Sequence, residues 1–222
     1  MTGATLMKPQ RENGRGAVRD ALLAYGIFTL VSVTGMVAYR WLPGRTTILL
    51  ISLLPYPMIL VSMVTLRANG RPGFPVGSAL NAIRSAWPLW LLLAAASAAG
   101  IVWTGDMAHH SWLHAVQRLL TFPVLDPLAE EFTFRGAIQT SLLGTALGRG
   151  RLVGLPRGIW MAATLFGVVH MANVVGNQGL GSCLAETATA LPAGLLFGVI
   201  YYRTTNIWHS VLLHGFSNLL MG

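Results

Sequence analysis

Hydrophobic positions in this chain run in long blocks instead of alternating with polar ones at a strand or surface-helix period. Seven blocks, near 21–39, 46–66, 86–103, 119–147, 158–175, 184–202 and 207–221, approach the roughly 20 apolar residues that a helix needs to cross a bilayer. Helices apolar on every side belong in lipid or deep in protein, so the pattern predicts an all-α, polytopic membrane helix bundle of 7–8 transmembrane helices. The fourth block decides between seven and eight. At ~1.5 Å per residue it is too long for one straight crossing. Pro123 and Pro127, in "TFPVLDP", predict a break or re-entrant turn there, because proline removes a backbone donor and disfavours helix at the residue before it.

Composition agrees with the pattern. The chain has 222 residues, 54% hydrophobic and only 10% charged, against about 25% charged in soluble domains. No polar block is large enough for a separate soluble unit, so the domain reading is a basic cytoplasmic tail over 1–20 and one membrane domain over 21–222. The opening "MKPQRENGRGAVRD" resembles the charged start of a signal peptide. The apolar stretch after it is too long for one and lacks a small-residue cleavage site, so a retained helix is expected.

The net charge of +8 would suit nucleic acid, but its distribution points to a bilayer and not to a nucleic-acid partner. With the N-terminus inside and alternating helices, eleven of the 15 Lys and Arg fall on the cytoplasmic side; Arg40, Arg45 and Arg118 fall outside and Arg135 within a helix. This is the positive-inside pattern, and with seven spans it places the C-terminus outside. A single cysteine, Cys183, excludes an internal disulfide, and no zinc-finger spacing is present.

Against this background, "LAEEFTFRG" at 128–136 is chemically expensive, since a charged group at mid-membrane costs about 2.5–3.5 kcal/mol on insertion scales and is by default a functional candidate. Glu131 and Arg135 stand i, i+4 with the acid first, the favourable helical order, and neutralise each other. Glu130 points about 100° away around the helix and needs another partner. "LFGVVHMAN" supplies His170, and "NIWHSVLLHGFSN" supplies His214 and Asn218 at i, i+4. Counted from the flanking arginines, Glu130, His170, His214 and Asn218 reach similar depth on three helices. A carboxylate, two imidazoles and an amide at one depth make a hydrolytic set: a base for water and donors for an oxyanion.

These residues carry a resemblance. Glu130-Glu131-x-x-x-Arg135, Phe166-x-x-x-His170 and His214-x-x-x-Asn218, in that order on membrane helices, resemble the CAAX protease and bacteriocin-processing (CPBP, or Abi) family, related to the Ras-converting CAAX endopeptidase. The similarity covers about residues 120–220. It implies an intramembrane endopeptidase of the glutamic type, acting on a membrane-associated or C-terminally processed peptide or protein, lipidated or not, in a bacterial inner membrane. By position, Glu130 and His170 activate water, His214 and Asn218 stabilise the oxyanion, and Glu131 and Arg135 hold the motif helix. No cofactor is expected. The alternative is a zinc enzyme with Glu130, His170 and His214 as ligands, disfavoured because no HExxH is present. Two further alternatives are a non-catalytic immunity or interaction protein on the same scaffold, and a proton-relaying transporter, for which the duplicated halves are missing.

Other polar residues have plainer readings. His209 turns away from His214 and is structural or interfacial; His109, His110 and His114 form a solvated outer segment. Asn173 either orients His170 or caps the helix end, and Glu186 is expected near the positive end of the sixth helix.

Overall fold

The computed structural model describes residues 14–41, 53–68, 124–176 and 178–221. Helix α1 is Gly14–Trp41 and α2 is Pro55–Ala68. Helix α3 is one continuous rod of three parts, Asp126–Glu131, a π-helical stretch Phe132–Gln139, and Thr140–Gly144. After it come the short α4, Ala146–Arg149, and a hairpin of β1, Arg151–Leu152, against β2, Leu155–Pro156. Next is α5, Arg157–Val169, which tightens into a 3-10 turn over His170–Gly176. The last two helices are α6, Leu180–Thr204, and α7, Ile207–Met221.

The all-α reading holds apart from that small hairpin, which the hydrophobic blocks concealed. Three described helical segments are long and apolar enough to cross a membrane: Arg15–Ala38, Arg157–Gly176 and Leu180–Thr204. The expected block at 86–103 and the histidines at 109, 110 and 114 lie outside the described residues. Of the break expected over "TFPVLDP", Pro123 and the residues before it lie outside the described residues, and Pro127 itself interrupts no helix. Pro127 occupies the first turn of α3, where its missing N–H has no helical partner to lose, and the helix runs on to Gly144. The chain turns instead at Thr145, whose extended backbone ends α3 and whose hydroxyl caps α4 by accepting from Gly148 N–H at 2.9 Å.

α3 is the central element. All eight residues of its π stretch are buried. Phe134 packs in one apolar cluster with Phe28, Met58 and Phe166, while Phe132 belongs to another with Tyr201, Trp208 and Val211. Two residues apart on a helix, these rings point to opposite sides, so neighbours enclose α3 all round. On α1 the described buried residues are the small Ala17, Ala21, Ala24 and Gly35 together with Phe28, on one face; Leu22, Leu23 and Leu30 are exposed. Small residues inward and large aliphatics outward is the arrangement of a helix packed in lipid.

α5, α6 and α7 close round α3 by short connections. Thr205 adopts a left-handed backbone, φ 54°, and its N–H bonds Tyr201 O at 2.8 Å, ending α6. The next residue, Asn206, accepts from Trp208 N–H at 3.1 Å and caps α7. The reversal sets α7 against α6, where Ser210 Oγ donates to Phe197 O at 3.0 Å. Glycine lets α6 approach α3: Gln139 Nε2 donates to Gly198 O at 2.9 Å, and a Cβ at Gly198 would lie 2.7 Å from Gln139 Oε1.

Candidate active site

The first part of α3 carries Glu130 and Glu131, the end of α5 carries His170, and α7 carries His214 and Asn218. Glu130, His170, His214 and Asn218 line one cavity of about 340 Å³. The four residues selected from the sequence therefore meet. Glu131 and Arg135 lie behind them, both completely buried.

Glu131 uses its two oxygens separately. Oε2 accepts from Arg135 Nε at 3.0 Å, the i, i+4 pair expected from spacing, while Oε1 lies 3.0 Å from His214 Nδ1. The second contact was missed in the sequence, where Glu131 was read only as the partner of Arg135. Glu130 has the separate partner it required: its Oε2 is 3.5 Å from His214 Nε2. His214 thus stands between the two carboxylates, held at Nδ1 by one and turned at Nε2 toward the other.

Arg135 is held largely by rings. Its two terminal nitrogens are buried with no hydrogen-bond partner among the described residues, and its guanidinium carbon sits 4.9 Å from the centre of Phe166 and 5.9 Å from that of Phe197. A weakly hydrated, planar cation tolerates an aromatic face better than a lysine ammonium would. The same rings hold the histidines. Phe197 stacks on His214 at 4.9 Å, and Phe166 meets His170 edge-on at 5.1 Å and His214 at 5.6 Å.

The spacing Phe166-x-x-x-His170 also has a backbone meaning. His170 Nδ1 lies 2.7 Å from Phe166 O. A carbonyl only accepts, so Nδ1 carries the proton and, in the neutral ring, Nε2 keeps its lone pair.

Several neighbours were not selected from sequence. Asp126 lines the cavity with Glu130; it stands four residues earlier on the same helix, a spacing that marks a shared face. Phe197 gave no polar signal. Glu186 is not in the first turn of α6 but at its seventh residue, facing the cavity, where it accepts from Asn173 Nδ2 at 2.8 Å. Among the described residues, the Asn173 side chain thus bonds Glu186 and not His170. His209 does not line the cavity and is half-buried.

Nδ1 of both histidines is engaged, which would suit metal ligands at Nε2, but among the described residues no three His, Cys, Asp or Glu side chains gather closely enough to hold a metal ion. A three-ligand catalytic zinc does not fit this arrangement.

Comparison with known families now bears on these residues. The sequence model described as type II CAAX prenyl endopeptidase, Rce1-like, matches residues 112–220. Through this half, the chain belongs to the CAAX protease family. The family is one of intramembrane endopeptidases with protein or peptide substrates in the membrane, consistent with the spanning helices. The matched half contains α3 and α5–α7, hence every residue of the cavity wall named so far; α1 and α2 lie outside it. No curated protein and no solved structure matches the chain.

Proposed function

We propose that this protein is a metal-free, glutamic-type intramembrane endopeptidase of the bacterial inner membrane, hydrolysing a peptide bond in a membrane-associated or C-terminally processed peptide or protein. The observation that carries the reading is the shared cavity of Glu130, His170, His214 and Asn218 over a buried Glu131–Arg135 pair.

The chemistry runs from these positions. A water between Glu130 and His170 gives up its proton to the Glu130 carboxylate, with His170 Nε2 orienting it, and attacks the substrate carbonyl. Charge then develops on the carbonyl oxygen. Asn218 Nδ2 and, when the ring carries both protons, His214 Nε2 donate to it; Glu131 fixes His214 at Nδ1, so that ring does not have to reorganise as the charge appears. The proton held by Glu130 passes to the leaving amine. Arg135 donates to the other oxygen of Glu131 and so holds that carboxylate in place against His214 Nδ1.

The test is cleavage of membrane-anchored peptides by the purified, reconstituted protein. Wild type cleaves and Glu130→Gln does not; equal turnover by the two rejects Glu130 as the base.

A further inference from the structure

The described helices give the bundle two unlike ends. Arg157 opens α5 and Arg203 lies in the last turn of α6, and these stretches meet, since a Cβ at Gly198 would lie 3.0 Å from Ile159 Cγ2. α3 finishes there too: Gln139 reaches Gly198 O, and Arg149 Nη1 donates to Gly144 O at 3.0 Å, with the exposed Arg151 on the hairpin beside it. α1 runs the opposite way to α3. Its Phe28 meets the ring of Phe134 and its Met36 lies by Gly176, at the far end of α5, so its first turns, with Arg15 and Arg19, join the end where α5 starts. Arg15, Arg19, Arg149, Arg151, Arg157 and Arg203 thus gather at one end, and Arg40 is the only described arginine at the other.

The candidate active site belongs to the end without them. At ~1.5 Å per residue, Glu130 lies ~21 Å along α3 from Gly144, His170 ~20 Å from Arg157 and Glu186 ~25 Å from Arg203. The cavity runs inward from Asp126 and Glu186 to Phe197 and His214 and stops there. Beyond that floor the packing is closed: Gln139, Thr140, Tyr201 and Ser210 are buried, the Thr140 and Tyr201 hydroxyls lie 3.3 Å apart, and Ser210 Oγ donates to Phe197 O. Neither water nor a peptide has a path to Glu130 through this layer.

Resting on the endopeptidase reading above, we infer that the active site is entered from the non-cytoplasmic side of the membrane, and that its substrate is a peptide segment already carried across. Short loops rich in Lys and Arg stay in the cytoplasm, which holds the arginine end inside. In the sequence, the direction of the motif helices depends on whether the chain crosses seven or eight times. The packing removes that dependence, because the ends of α1, α3, α5 and α6 are matched directly, whatever lies between them in the chain. A peptide arriving from the cytoplasm would meet the closed layer of Gln139, Thr140 and Tyr201, whereas one on the outer side meets the open wall of Asp126, Glu130 and Glu186. The reaction that supplies the substrate is therefore a translocation step.

Two single-cysteine probes in a Cys183→Ala background mark the ends in bacterial spheroplasts: Val153→Cys at the hairpin tip, where the valine is 82% exposed, and Gln178→Cys in the link between α5 and α6. A membrane-impermeant maleimide is expected to label Gln178→Cys in intact spheroplasts, and Val153→Cys only after permeabilisation. Val174→Cys, at a valine 41% exposed near the same link, serves should Gln178→Cys fail to accumulate. A quenched fluorescent peptide coupled to a phospholipid that does not flip then reports turnover. Sealed right-side-out vesicles cleave it, and inside-out vesicles do so only once opened with detergent. Labelling of Val153→Cys in intact spheroplasts, or cleavage by sealed inside-out vesicles, overturns the outer entrance and leaves the protease standing. The expected labelling without cleavage, even in detergent, supports the orientation and rejects the protease.

Discussion

The site has two layers that differ in nearly every physical respect. In the inner one, Glu131 and Arg135 are completely buried, joined at 3.0 Å and surrounded by His214, Phe166 and Phe197. In the outer one, Glu130, His170 and Asn218 face a cavity, and Glu130 reaches His214 only at 3.5 Å. Adjacent glutamates thus fall into opposite environments, because one step along a helix turns the side chain by about 100°. Burying a charge costs several kcal/mol even after relaxation and is repaid only by close pairing. The inner layer therefore depends on its ion pair for stability, whereas Glu130, His170 and Asn218 of the outer layer face a cavity. Stability and turnover should separate cleanly between them.

The sharpest separation is expected at the two glutamates. Glu130→Gln keeps the side chain's shape and removes its basicity, so turnover should fall by about two to four orders of magnitude while the thermal midpoint in detergent stays put. A midpoint drop as large as that of an inner-layer variant would erase the distinction. Glu131→Ala should do the reverse first: it strands Arg135 as an unpaired buried cation at a cost of about 3–5 kcal/mol and frees His214 Nδ1. Glu131→Leu combined with Arg135→Met should recover much of that stability but not activity, since His214 still lacks its acceptor. Recovered activity in the double variant would mean that Glu131 serves Arg135 alone.

Within the outer layer, Asn218→Ala tests the oxyanion role. Loss of one such donor costs about 10²–10³ in kcat, with substrate binding little altered. A change confined to KM would make Asn218 a binding residue instead.

Much of this site was legible in the sequence because its residues are so costly in an apolar helix. Glu130, Glu131, Arg135, His170, His214 and Asn218 stood out against lipid-like surroundings, and counting residues from the flanking arginines brought the outer four to one depth. What stayed hidden has specific causes. The π stretch Phe132–Gln139 changes which carbonyl each N–H meets, not the hydrophobic pattern, so it is invisible to periodicity; such stretches recur at functional sites. Phe197 carries no polar atom, and it joins the site only because α7 folds back on α6. Asp126 was overlooked beside Pro127, which drew attention to a helix break and away from the i, i+4 relation to Glu130. The Glu131–His214 bond joins residues 83 apart and could not be read from local spacing.

A smaller effect should come from the seam that sets the two layers in place. Gly198 lets α6 approach α3 so that Gln139 reaches its carbonyl, and a Cβ there would also lie 3.0 Å from Ile159 Cγ2. Gly198→Ala is expected to cost about 1–3 kcal/mol, the range for overpacking, with a proportionate loss of activity as Phe197 shifts on His214. Unchanged stability would mean that Gln139 swings aside freely.

The smallest expected effect is none. Both histidines are held at Nδ1, His170 by a backbone carbonyl and His214 by a carboxylate, and that is how protein ligands to zinc are commonly oriented. Each histidine alone is thus compatible with zinc, while among the described residues His170 does not gather with Glu130 and His214 in a three-ligand cluster, so the choice between base and ligand rests on measurement. If Glu130 is a base rather than a ligand, prolonged dialysis against a strong chelator should leave turnover unchanged, and elemental analysis of the active protein should show no stoichiometric metal. A bound zinc would instead be generating the nucleophile itself. Activity would then disappear with the metal and return on adding it, and His170→Ala would lose metal and turnover together. That outcome would move Glu130 and His170 from base and positioner to ligands, and the two layers would differ as metal shell and support instead of as chemistry and scaffold.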